Sequence, residues 1–407
     1  QRRVHGDSAH EVIHLHLLKM IEQCKLGFLF ILFATFTSKA MSIGGNIKSS
    51  TFLTPLIQVR AGQVNNKFYF NLDFPKGHIA VKDFFAEVVD EEGNSVPLYE
   101  AYLHHWIVLK YFQRQGEGNP KDIVFGNIDG LCQSGTLQQY WGLGSETRRT
   151  QTYVPGPYAI EVGNPDKIPN GFEEKWTMNV HAIDTRGVES KRGCLECWCG
   201  LYNKTADQQG EPLPQGYAGG LLCCDDGSQC KLKKSSRDKT RNLFVRYTVK
   251  WAEWSAAFVP VKIFILDVTD TGIRNASDDS GCNIEYQVDA CDHSRKRGEK
   301  CIFEKRASLM MTSGGSFIHG VGHQHLGGRG IALYKEDGRE ICNSKPIYGN
   351  GTEAGNENGY VVGMTNCEPK PGTIKIKDGE RLLLVSKYSN KKMHAGVMGL
   401  FYFLLAD

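Results

Sequence analysis

After residue 45 the chain keeps to one pattern: short runs of β-branched and aromatic residues, broken by glycine-containing turn dipeptides. Phe68-Tyr69-Phe70-Asn71-Leu72, Trp106-Ile107-Val108-Leu109 and Trp176-Thr177-Met178-Asn179-Val180 are of strand length and composition. So are residues 243–249, 261–266, 382–385 and 400–405. Gly93-Asn94, Asn170-Gly171, Asp337-Gly338, Asn358-Gly359 and Asp378-Gly379 supply the turns. No amphipathic helical stretch exceeds two turns. So many short strands predict an all-β chain, most simply two tandem antiparallel β-sandwiches of jelly-roll-like type. Their expected spans are 45–255 and 256–407, changing over near Ala256-Ala257-Phe258-Val259-Pro260, where a proline precedes the next strand.

Before this pattern, Met20 opens a stretch with a largely apolar run at 26–36 and small residues at Ser38 and Ala40. A run this short reads as the core of a signal peptide, because spanning a bilayer takes about 20 apolar residues. Residues 1–40 are therefore expected to be an upstream extension plus a signal from Met20, with His14 and His16 no part of any metal site. Removing Cys24 with the signal leaves twelve of the thirteen cysteines, enough for six disulfides in an oxidising compartment. Sequons at Asn203, Asn275 and Asn350 agree with a secreted, extracellular protein. A net charge of +3 is too small to indicate nucleic acid, and no other run reaches membrane-spanning length.

The densest cysteine segment, 194–230, holds six cysteines in a polar, glycine-bearing context. It reads as a disulfide-stapled insert in the first sandwich; zinc at its CxxC is the alternative. The expected arrangement lays it over one end of that sandwich, with its carboxylates and Asn203 facing solvent.

Chemistry is concentrated in the histidines. His323 and His325, two apart in a strand context, project from one face and can reach one ion. His104 and His105 are adjacent, so they can share an ion only if their strand bulges. His181 lies in a separate strand, and Met398 in an apolar one near the C-terminus. Each signal alone fits a hydrogen-bonded sheet histidine or a core methionine. Together they suit copper, since imidazole binds copper well and a thioether favours Cu(I), which points to redox chemistry. Zinc at the same histidines, giving a hydrolase, is a third possibility. Asn179, two before His181, could position water. His319 and His394 read as structural, residues 231–234 as a solvated basic run, and Asp225-Asp226 lacks calcium-loop spacing. Gly322, Gly327, Gly328 and Gly330 read as tight sheet geometry rather than a phosphate loop.

The order and strand context of these six positions resemble the copper type II, ascorbate-dependent monooxygenases, the family of peptidylglycine α-hydroxylating and dopamine β-monooxygenases. That resemblance implies two copper ions. His104, His105 and His181 would hold the electron-supplying copper, and His323, His325 and Met398 the copper that binds O₂. It also implies ascorbate as reductant, a small-molecule substrate hydroxylated at C–H, and a catalytic set of Met398, His323, His325 and Tyr402. Val321 stands where the peptide-amidating enzymes carry a substrate-binding arginine, which argues against peptide amidation. The whole chain is more closely similar to the plant stress up-regulated Nod-nineteen proteins, through residues 100–106, 219–225 and 396–402. This second resemblance implies an apoplastic stress protein, and leaves open a non-catalytic one that retains the copper-binding scaffold. The expectation for the structure is two separate coordination spheres facing each other across a cleft between the sandwiches.

Overall fold

Alternating burial along the strands sorts them into two pairs of facing sheets. The computed structural model describes residues 46–118, 120, 123–132, 135–234, 239–273, 281–291 and 301–407. The expected signal segment, its upstream extension and the sequon at Asn275 lie outside these residues.

In the first sandwich, one sheet runs in the order Lys48–Leu53, Arg241–Glu253, Ile79–Val89, Tyr158–Val162, Val259–Pro260. The facing sheet runs Val64–Tyr69, Phe172–Asp184, Ala101–Arg114, Val124–Phe125, with Trp141–Leu143 also on the long strand Ala101–Arg114. Phe84 joins the two faces: its ring centroid lies 5.3 Å from Trp106, 5.0 Å from Trp141 and 5.8 Å from Tyr247. Such aromatic packing supplies much of the buried apolar area.

The second sandwich begins at Lys262. One sheet is ordered Lys262–Asp267, His394–Ala406, Gly315–Gln324, Asn366–Cys367; the other is Ile302–Met310, Arg381–Ser389, Gly328–Lys335, Glu340–Ser344. Pairing is antiparallel throughout both sheets. Phe403 stacks between Phe264 and Phe317 in its core, at 5.2 and 5.7 Å. The five turn dipeptides fall in turns or irregular connections, and their glycines have φ from +68° to +84°, a region open mainly to glycine.

The strand His394–Ala406 is buried along nearly its whole length. Phe401, Phe403 and Leu405 face into the second core, while Leu404 and Ala406 pack into the first. A strand covered on both faces reads as a continuous apolar run, and that is its sequence. The two sandwiches thus meet face to face, all within one compact unit, Asn46–Asp407.

All twelve described cysteines are paired: 132–282, 194–230, 197–224, 199–223, 291–301 and 342–367. Six disulfides are typical of proteins from an oxidising compartment. Three of them staple the insert, which carries two short helices, Lys191–Leu195 and Cys199–Tyr202, the first capped by the Ser190 hydroxyl. Asn203 and Asn350 are exposed. The insert departs from expectation in placement. It also docks on the second sandwich, where Glu285 accepts from the Tyr217 hydroxyl and the Leu221 amide. Glu196 does not face solvent: it is 4% exposed and accepts from Arg192, Trp198 and His394, an ion-paired network that makes its burial tolerable. Among the described residues no helix is long and apolar enough to cross a membrane.

Candidate metal centre

The first three histidines come from neighbouring strands. His105 of Ala101–Arg114 sits opposite His181 of Phe172–Asp184, and the register slips between Leu103 and His105. His104 therefore occupies a bulge, the irregularity that two adjacent histidines need in order to face one point. One ring nitrogen from each of His104, His105 and His181 lies within 4.8 Å of the others.

The second set follows strand parity. His323 pairs with Leu400, and Gln324 with Gly399, so the register carried one step further sets His325 beside Met398. The Tyr388 hydroxyl locks this pairing: it accepts from the His325 amide at 2.8 Å and donates to the Met398 carbonyl at 2.7 Å. Gly322 and Gly327 are where sheet geometry requires glycine. A Cβ would lie 2.0 Å from an Ile331 methyl at the first, and 2.5 Å from the His394 ring at the second.

The two sets are not separated by a cleft. His104 stacks on His181 at 4.3 Å and meets His325 edge-on at 4.4 Å, while His323 and His325 stand 5.0 Å apart. The expected pair of distant spheres is replaced by one contiguous group of five imidazoles. The sandwiches are in direct contact here through the rings of His104 and His325.

Met398 is 2% exposed and packs with Leu137, Ile265 and Leu400. Together with His105, His323, Val321, Leu400 and Tyr402 it lines a mostly apolar cavity of about 40 Å³. The Tyr402 hydroxyl donates to the Tyr140 carbonyl, and burial raises its pKa far above the usual phenol range.

Electrostatics hold four of the five imidazoles, His104, His105, His181 and His325, in the neutral form. Burial, reinforced by the neighbouring imidazoles, pushes His104, His181 and His325 well below the ordinary histidine range. Burial also lowers His105 to about 4, against the opposing hydrogen bond that His105 donates to Asn179. Neutral imidazoles are the ligand form of histidine.

Several ring nitrogens have their partners fixed. His105 Nε2 donates to Asn179 Oδ1 at 2.9 Å, and Asn179 is tied in turn to Asn66, so Asn179 orients the His105 ring. His325 Nδ1 donates to the Gly396 carbonyl at 3.0 Å. His323 Nδ1 donates to Glu146 Oε1 at 2.6 Å. In each case the other nitrogen is left with a lone pair. Among the described residues, the buried histidine nitrogens without a partner are His104 Nδ1, both nitrogens of His181, His323 Nε2 and His325 Nε2.

Glu146 is the candidate site residue that sequence reading missed. It lies in the 3₁₀ turn Ser145–Arg149, fully buried, in no motif and 177 residues from His323. The turn is pinned by Thr147 to the Ala86 carbonyl, by Trp106 to Thr147, and by Arg148 to Glu87 and Glu357. His319 and His394 are hydrogen-bonded to Glu368 and Glu196, as a structural role requires. Asp225 and Asp226 pair with Lys204 and Lys67.

Residues 45–407 match the family described as stress up-regulated Nod 19. No curated protein matches. Among solved structures, the STIV MCP covers 89% of this chain and 96% of its own at 7% identity and a TM-score of 0.25. The VP2 subviral particle of infectious bursal disease virus covers 89% and 72% at 8% identity and a TM-score of 0.17. The Cry4Aa toxin of Bacillus thuringiensis covers 81% and 58% at 9% identity and a TM-score of 0.19. Similarity at this level carries no argument about fold or function.

Proposed function

We propose that this chain, which belongs to the stress up-regulated Nod 19 family, is a secreted copper protein that couples ascorbate and O₂ to hydroxylation of a small substrate at C–H. The observation that carries the reading is the set of five buried ring nitrogens without partners, on His104, His181, His323 and His325. Leaving one buried polar atom unsatisfied costs about 1–3 kcal/mol, so a fold that keeps five together is built to have them satisfied by something absent from the protein itself. Neutral nitrogen donors with a thioether nearby fit copper. His104, His105 and His181 would hold one ion, and His323, His325 and Met398 the other. Bound copper would supply one-electron redox chemistry between Cu(II) and Cu(I). The balance is one substrate C–H, one O₂ and one ascorbate giving an alcohol, water and dehydroascorbate.

The protein's own residues set the conditions for this chemistry. Glu146, Asn179 and the Gly396 carbonyl hold their imidazoles with the opposite nitrogen bare. The cavity walls, Val321, Leu400 and Met398, favour an apolar group beside His323 and His105. Val321 offers no cation for a peptide carboxylate, which selects against peptide substrates. Six disulfides and the exposed sequons Asn203 and Asn350 support an extracellular, apoplastic setting.

One observation favours a second reading, a non-catalytic stress protein that captures copper. The cavity, at about 40 Å³, has room for O₂ or about three waters and is small for an organic substrate. The discriminating experiment is ascorbate-driven O₂ consumption by copper-loaded protein, scanned against phenolics, amines and peptides. Consumption lost in His323→Ala and Met398→Ala supports the monooxygenase. Two bound coppers without turnover on any substrate supports capture, and stoichiometric zinc with no copper overturns both.

A further inference from the structure

We infer that the five histidines form one paired-ion centre, in which two copper ions share a single pocket and interact magnetically. The inference rests on the copper reading above, but departs from the arrangement of two isolated sites that the sequence resemblance implies.

His104 is the joint. Its ring lies 4.3 Å from His181, within the first set, and 4.4 Å from His325, within the second. Both are contact distances for aromatic rings, so no side chain or water layer fits between the sets. His105 lies 5.1 Å from His181, and His323 lies 5.0 Å from His325, which completes an unbroken chain of rings. Burial agrees: His104, His181 and His325 are at most 6% exposed. The free nitrogens therefore open into protein interior, not onto two solvent-facing walls.

Ligand supply also favours sharing. A ring nitrogen of His104 lies within 4.8 Å of one on His105 and one on His181, and the same ring meets His325 edge-on at 4.4 Å, so an ion on His104 borders both sets. His181 has neither nitrogen engaged, so its ring can present either edge to that space. The fixed partners lie outside it: Asn179 holds His105 from one strand, Glu146 holds His323 from the turn Ser145–Arg149, and Gly396 holds His325. Each anchor turns a bare nitrogen inward. The surrounding protein is braced from both sandwiches, since Arg148 ties the Glu146 turn to Glu357 while Tyr388 joins the His325 and Met398 backbones.

The test is electron paramagnetic resonance on the full chain loaded with Cu(II), with copper per chain measured on the same sample. A paired centre gives two coppers per chain, a signal integrating to clearly fewer than two spins or broadened by coupling, and a half-field resonance. Two coppers with two full, unbroadened spins and no half-field resonance overturn the pairing and leave the copper reading standing. Saturation at one copper per chain also overturns the pairing. No copper bound at all overturns both. His104→Ala gives an independent measure: a shared pocket drops from two coppers to fewer than one, whereas isolated sites retain one at His323 and His325.

Discussion

The two halves of the histidine cluster are built on different terms. In the second sandwich, His323 and His325 each have one nitrogen fixed, by a buried carboxylate and by a backbone carbonyl. In the first, His105 is held by Asn179, but His181 has no partner on either nitrogen and His104 Nδ1 has none. In the second half both rings are oriented before any ligand arrives; in the first only His105 is, and His181 is held by packing alone. The lesson is that the halves differ in positioning more than in unsatisfied polarity: two anchored rings against one, and two unpartnered nitrogens against three.

The sharpest way to break this comparison is His181→Leu. It removes a buried imidazole that has no partner, so the metal-free protein gains about 1–3 kcal/mol of stability while copper binding at the first set is lost. Urea unfolding and copper titration of the same sample check both halves of the statement; a destabilised metal-free protein would show that His181 is satisfied after all.

Acid comes next. An unfolded histidine takes up its proton near pH 6.5, whereas the buried rings resist protonation, His105 down to about 4. The unfolded state then binds more protons across that window. Stability of the metal-free protein is complete above pH 6.5 and falls as the pH drops towards 4. Gln at His104, His105 and His181 flattens the denaturation profile more than His325→Gln, because more of the shifted rings lie in the first half.

Orientation effects are smaller. Glu146→Gln weakens copper at the second set by about 10–100-fold, the usual cost of losing a carboxylate behind a ligand histidine. Asn179→Ala, which removes a neutral acceptor, costs less than that. Competition titrations with a copper chelator rank the two, and the reverse order would remove the distinction between the halves.

Much of this was legible in the sequence, for local reasons. Strand parity alone puts His323 and His325 on one face, and adjacency alone demanded a bulge at His104, which the register slip supplies. Disulfide pairing of all twelve cysteines followed from their even number. What was not legible depends on contacts between distant segments. Glu146 lies in a five-residue turn without a motif, and nothing near it in sequence announces His323. The merging of the two sets depends on how one sandwich packs on the other, and periodicity describes only a strand's own faces. The insert's grip on Glu285 and His394 is of the same kind.

The strand His394–Ala406 sets a timetable as well as a shape. It is the middle strand of its sheet, flanked by Lys262–Asp267 and Gly315–Gln324, yet it is made after both. At ribosomal speeds of about 5–20 residues per second, His323 emerges on the order of ten seconds before its partner strand is complete. During that interval the earlier histidines have no floor beneath them. The pocket is therefore finished only once this strand has been made, and the histidines that precede it wait for it.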